Sequence, residues 1–146
     1  MNFNANSGWI FVCGLLGALG VALGAVAAHA LADPQAALSV ERATNYQLFH
    51  TVAILVLLTL KGRLVTLSRW LMLAGIIGFS GAIYAKYLLG LPALGALAPV
   101  GGSLLILSWL VLGASAFTDR LYRSPSHRTS EVACNESDDS SDNPTA

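Results

Sequence analysis

Few positions in this chain could do polar chemistry. The candidates are His29, Glu41, Arg42, Tyr46, Gln47, His50, Tyr84 and Lys86. Arg42, Tyr46 and His50 recur at i, i+4 and i+8, which on a helix sets them along one face. Histidines titrate near neutral pH, so His29 and His50 suit proton handling or ligand binding. Glu41 has Arg42's neighbours and Lys86 as possible ion-pair partners. A metal site lacks support, because two histidines without a defined third ligand do not make a binding set. No GxSxG, HExxH or Walker loop occurs. No catalytic residue, metal or cofactor is therefore expected. Two readings of the polar set stand. In one it forms a functional pocket, the default for ionisable residues inside a membrane. In the other its members satisfy one another, cap helix ends and fix how helices meet.

The surrounding composition decides what must position these groups. Of 146 residues, 55% are hydrophobic and 11% charged, and the formal net charge is zero. Soluble domains carry roughly 25% charged residues. The charge is missing from long apolar runs, which indicates a multi-pass membrane protein. No basic patch stands outside those runs in a form that would bind nucleic acid. Cys13 lies in the first apolar run and Cys134 in the polar tail, too far apart for a disulfide.

Four helices are expected, over about residues 9–29, 42–63, 70–91 and 98–118, after a polar start at 1–8. At ~1.5 Å per residue the run from Trp9 to Ala28 covers about 30 Å, the thickness of the hydrocarbon core. A secretory signal peptide competes for this segment, since Ala28-His29-Ala30 has the form of a cleavage site. Against it, no Lys or Arg precedes Trp9, and the run exceeds the usual ~7–15 residues. Asp33 and Pro34 read as an N-cap and first helical residue, opening a short interfacial helix over Gln35–Leu38. The second helix has a short apolar part, Thr51–Leu60, covering only about 15 Å. Its span must borrow from its ends, which puts His50 within or at the edge of the hydrocarbon. Residues 122–146 are Ser/Asp/Asn-rich and read as a disordered tail.

Small residues supply the packing surfaces. Gly17, Gly20 and Gly24 form a stripe on the first helix. Gly75, Gly78 and Gly81 lie on the third, and Gly101 and Gly102 open the fourth. Trp109, near the middle of the fourth span, reads as a packing residue. Lys61, Arg63, Arg69, Arg120, Arg123 and Arg128 fall on one side, with Arg42 and Lys86 on the other. That asymmetry predicts cytoplasmic termini. It also gathers His29, Tyr46, His50, Tyr84 and Lys86 in the outer half.

The runs GALGVALGAVAAHAL, ERATNYQLFHTVAILVL, GFSGAIYAKYLLG and APVGGSLLILSWLVL resemble the small four-helix membrane family known as domain of unknown function 423. That family includes bacterial inner-membrane proteins and small eukaryotic transmembrane proteins. The resemblance covers about Trp9–Phe117, and its signatures fall on His29, Tyr46, Gln47, His50, Ser80, Gly81, Tyr84, Pro99, Gly101 and Gly102. Val26-Ala27-Ala28 stands where the family more commonly has F-G-A, and Ala98 where it often has Thr. The resemblance implies a membrane protein, in the inner membrane if bacterial, and supplies no substrate or mechanism. The expected fold is all-α, a four-transmembrane-helix bundle with both termini inside. Its expected partners are the lipid bilayer and either further copies of itself or a larger membrane complex. The first functional reading is a non-enzymatic membrane component. The alternative is a transporter or channel subunit using the His-containing site. A lipid- or quinone-directed enzyme with histidine acid and base is a third.

Overall fold

The boundary between the first two helices is set by Asp33 and Pro34. In the computed structural model, which describes residues 5–122, both Asp33 carboxylate oxygens accept backbone N–H bonds, from Gln35 at 3.1 Å and Ala36 at 3.2 Å. Pro34 occupies the first helical position, where its missing N–H costs nothing. With the cap in place the helix has no reason to stop. α2 therefore runs unbroken over Pro34–Leu57, and the separate interfacial helix at Gln35–Leu38 does not exist. α1 (Ala5–His29) also starts earlier than its first tryptophan, taking in Asn6–Gly8.

α3 spans Arg63–Leu88 and so begins before the expected Trp70. It contains a π-helical turn at Ile77–Gly81 between two α-helical stretches, Arg63–Ile76 and Ala82–Leu88. Gly90 takes φ +67°, a left-handed conformation suited to glycine, and the Leu91 N–H returns to the Ala85 carbonyl at 3.0 Å. A 3₁₀ turn (Pro92–Leu97) leads into α4 (Ala98–Tyr122). Three of the four helices are long and apolar enough to cross a membrane: α1, α3, and α4 with its preceding turn. The chain divides into Met1–Ser115 and Ala116–Ala146. The described part of the second unit is the last turns of α4, and the expected tail after Tyr122 lies outside the described residues.

α2 is the central helix of the first unit. Its buried positions include Ala36, Val40, Ala43, Gln47, His50, Ile54 and Leu57, stepping four, three, four, three along the chain. That alternation makes a narrow stripe like the seam of a coiled coil. Cys13, Gly20 and Ala27 on α1 repeat every seven residues, and Gly101, Leu105 and Ser108 on α4 step four and three. The apolar core joins Cys13, Ile54, Leu57, Val65, Met72, Ile76 and Leu105, one contribution at least from every helix.

Two seams bring backbones close. At Gly20 an added Cβ would sit 2.8 Å from Leu48 Cδ2, and at Gly24 it would sit 3.3 Å from Thr44 Cγ2. At Gly75 it would meet the Leu105 backbone nitrogen at 3.0 Å, and at Gly78 the Gly101 Cα at 3.0 Å. At Gly101 it would run into the backbone of Gly78 and Phe79, inside the π turn. Gly102 has only ordinary contact with the Phe79 ring, at 3.7 Å. Gly17 and Gly81 are corrections: a Cβ on either would meet nothing within 4 Å. The line of α1 that meets α2 runs through Leu16, Gly20 and Gly24, and Gly17 lies one position off it. At Gly81 the π turn has already rotated the helix face by one extra residue.

Candidate functional site

Gln47, 2% exposed, is the hub of the interior polar network. Its amide Nε2 donates to the Leu16 carbonyl of α1 at 2.6 Å. Its Oε1 accepts from the Tyr84 hydroxyl of α3 at 3.0 Å. One side chain thus ties three helices. Thr44, one turn earlier on the same face, lies 3.4 Å from the Tyr84 oxygen and donates to the Val40 carbonyl at 2.9 Å. Ser80 in the π turn donates across to the Ala43 carbonyl of α2 at 2.8 Å. Ser68 donates to the Ser108 carbonyl at 2.8 Å, linking α3 to α4.

His50, one turn beyond Gln47 and 4% exposed, is wired to α4. Nδ1 lies 2.8 Å from the Tyr46 carbonyl, and Nε2 accepts the indole N–H of Trp109 at 3.1 Å. A carbonyl only accepts and an indole N–H only donates. The ring is therefore neutral with its proton on Nδ1, and both nitrogens are engaged.

Rings gather round it. His50 lies 6.1 Å from both Tyr46 and Trp109 and 5.4 Å from Phe49. Phe49 lies 5.8 Å from Trp109, and Tyr46 lies 5.2 Å from Phe79. These rings, with Asn45, Pro99, Gly102, Ser103, Leu105 and Ile106, line a groove of about 670 Å³ between α2 and α4. The lining is mostly apolar or aromatic with a few polar groups, the usual make-up of a small-molecule site.

The polar set read from the sequence is only partly brought together. Gln47 and Tyr84 bond directly, and Tyr46 and His50 are adjacent at the groove. His29 is exposed at the end of α1. His50 lies 16 residues into α2, about 24 Å along its axis from the end nearest His29. The two histidines therefore do not share a level. Glu41 and Arg42 are both exposed. The possible Glu41–Lys86 pair does not form. Instead the Lys86 ammonium lies 4.8 Å from the centroid of the Tyr87 ring. Among the described residues no group of three His, Cys, Asp or Glu could hold a metal ion. Thr44, Ser68 and Ser108 are partners that the sequence does not single out, and Trp109, expected only to pack, is also a hydrogen-bond donor. Each is a residue type common in apolar helices, and Trp109 is 59 positions from the histidine it serves.

The indole bond to His50 is separable by mutation. Trp109→Phe keeps a ring and removes the N–H, and should destabilise the folded state by about 0.6–2 kcal/mol. In a double-mutant cycle with His50→Ala, measured by equilibrium unfolding in mixed micelles, most of that loss should disappear.

Residues 23–102 match the family described as "Protein of unknown function (DUF423)". A UPF0382 membrane protein of Staphylococcus aureus is 39% identical over 113 residues, covering 70% of this chain and 93% of the relative. YwdK of Bacillus subtilis, also a UPF0382 membrane protein, is 36% identical over 106 residues, covering 67% and 86%. The UPF0382 membrane protein of Haemophilus influenzae is 32% identical over 120 residues, covering 77% and 95%. No solved structure matches the chain. With its long apolar helices and its close likeness to these membrane proteins, the chain belongs to the DUF423 (UPF0382) family of integral multi-pass membrane proteins.

Proposed function

We infer that this chain is a non-enzymatic membrane component that acts through helix packing, with further copies of itself or with a larger complex. The observation that carries this reading is the state of its buried polar groups. Both His50 nitrogens and both ends of the Gln47 amide are engaged inside the bundle. A base so engaged has no lone pair to offer a substrate proton. The outer surfaces are made for apolar surroundings, with Phe11, Val21, Phe49, Ile106 and Leu110 all more than half exposed.

In this reading all four helices span, with both termini on the cytoplasmic side. Support comes from Lys61 in the connection before α3 and Arg63 and Arg69 in its first two turns, against Arg42 and Lys86 toward the other surface. α2 qualifies least by composition, but its stripe of buried residues lies against the other helices rather than lipid.

A transporter or channel subunit is the second reading, and the groove beside His50 favours it. One experiment separates the two. The protein is extracted with its surrounding lipid, sized and weighed, then reconstituted for proton-flux measurement. An assembly of fixed stoichiometry above the 15.2 kDa monomer, with flux equal to empty vesicles, is expected. A monomer with flux above that background overturns the first reading. Reporter fusions after Arg69 should report cytoplasm, and fusions within Ala36–Ser39 the opposite side.

A further inference from the structure

At the end of the bundle away from the α2 cap, a second ring cluster stands outside the polar network. Trp9 of α1 and Trp70 of α3 meet edge to face, with ring centroids 4.8 Å apart and planes at 68°. The Arg69 guanidinium carbon lies 5.5 Å from the centroid of the Trp9 ring. One terminal nitrogen of Arg69 donates to Thr66 Oγ1 at 3.0 Å. Its Nε–H is buried and has no hydrogen-bond partner. An unmet buried donor is costly, and more so on a charged group. It calls for an acceptor, and a cation favours an anionic one.

The described side chains do not provide that anion. Among residues 6–118 the carboxylates are Asp33 and Glu41. Asp33 caps the far end of α2, and Glu41 lies two turns further along the same helix. Beside the ring pair is a cleft of about 240 Å³ lined by Gly8, Trp9, Val12, Trp70 and Leu73. Its lining is aromatic and apolar, and Arg69 stands beside it, stacked on the Trp9 ring and next in sequence to Trp70.

This combination fits one kind of molecule. Tryptophan rings favour the membrane–water interface, where lipid phosphates lie. A guanidinium offers a planar fork to two phosphate oxygens. The apolar floor runs inward from that level along α1 and α3, as an acyl chain does. Lys61 in the neighbouring connection and Arg63 at the start of α3, both exposed, add positive potential toward an anionic leaflet. We propose that Arg69, Trp9 and Trp70 form a headgroup site for an anionic phospholipid. The phosphodiester takes the free Arg69 donors, and one acyl chain lies against Val12 and Leu73.

The test uses the full chain with Trp109→Phe, so that Trp9 and Trp70 alone report fluorescence. It is reconstituted in phosphatidylcholine nanodiscs doped with equal fractions of brominated phosphatidylglycerol or brominated phosphatidylcholine. The glycerol lipid should associate about fivefold more strongly, as judged by quenching. Arg69→Gln should bring the two lipids to parity while helix content by circular dichroism is unchanged. Equal quenching by both lipids on the Arg69 chain overturns the site, whatever the variant does. A preference that survives Arg69→Gln also overturns it. Loss of the preference in excess inorganic phosphate would assign the donors to a free anion and overturn the lipid.

Discussion

Gly101→Leu is expected to abolish the native α3–α4 interface, with loss of most folded protein from the membrane fraction. Even Gly101→Ala should lower stability by about 3 kcal/mol, the upper part of the range for overpacking. The reason lies in what the new Cβ would meet. Its neighbours are main-chain atoms of Gly78 and Phe79, which no rotamer change can move aside. Those atoms belong to the π turn, whose Ser80 is anchored to the Ala43 carbonyl of α2 at 2.8 Å. Displacing α3 to admit a methyl group would therefore strain its contact with α2 as well. Gly78→Ala should fail for the same reason from the opposite face, since its Cβ would lie 3.0 Å from the Gly101 Cα. Gly17→Ala and Gly81→Ala are the controls. Both point into open space, and alanine is the better helix former. Thermal midpoints in detergent should fall sharply for the first pair and hold for the second. A Gly101→Ala protein with an unchanged midpoint would mean that the two backbones do not meet here.

The contrast between these glycines marks how far sequence reasoning reaches. A stripe of glycines at steps of three and four shows which face of α1 is smooth. It does not show which line of that face the neighbour follows. α2 lies along Leu16, Gly20 and Gly24, so Gly17, one position round the helix from Leu16, is left uncovered. In α3 the pattern runs Gly75, Gly78, Gly81, but the wide turn over Ile77–Gly81 carries the last of these off the interface. A π turn has no composition signal as strong as proline or a cap, so the shift is invisible until the helix is built.

The same holds for the polar groups. Asp33 before Pro34 is a local signal and is legible because a cap bonds within its own first turn. Arg42, Tyr46 and His50 share a helix face by spacing alone, yet only His50 is buried. The buried stripe of α2 runs Ala36, Val40, Ala43, Gln47, His50, so Arg42 and Tyr46 each lie one position off it and only His50 falls on it. The partner that fixes the His50 tautomer, Trp109, comes from α4. Nothing in the spacing of α2 points to it. Long-range pairs of this kind are set by helix crossing and depth, quantities that periodicity does not carry.

Gln47 carries the second large expected effect, and it depends on a glycine. Gln47→Met fills nearly the same volume and removes both hydrogen bonds of the amide. The Tyr84 hydroxyl is then left with the longer 3.4 Å contact to Thr44 Oγ1, and the Leu16 carbonyl loses a donor from outside its own helix. Interhelical bonds in membranes contribute about 0.6–2 kcal/mol each. The expected loss for the two is therefore about 1–4 kcal/mol by equilibrium unfolding in mixed micelles. Tyr84→Phe removes only one of the bonds and should cost less, and the double variant should cost little more than Gln47→Met alone. The bond to Leu16 has a further requirement. A carbonyl in the middle of an α-helix is shielded by the side chain four residues on, and here that residue is Gly20. A Cβ at Gly20 would stand 3.4 Å from the Gln47 amide nitrogen and 2.8 Å from Leu48 Cδ2. Gly20→Ala should thus push α2 away and break the same 2.6 Å bond without touching Gln47. Combined with Gln47→Met it should show strong non-additivity. Strict additivity would mean that Gly20 serves Leu48 packing alone, and that the glutamine reaches α1 whether or not its path is clear.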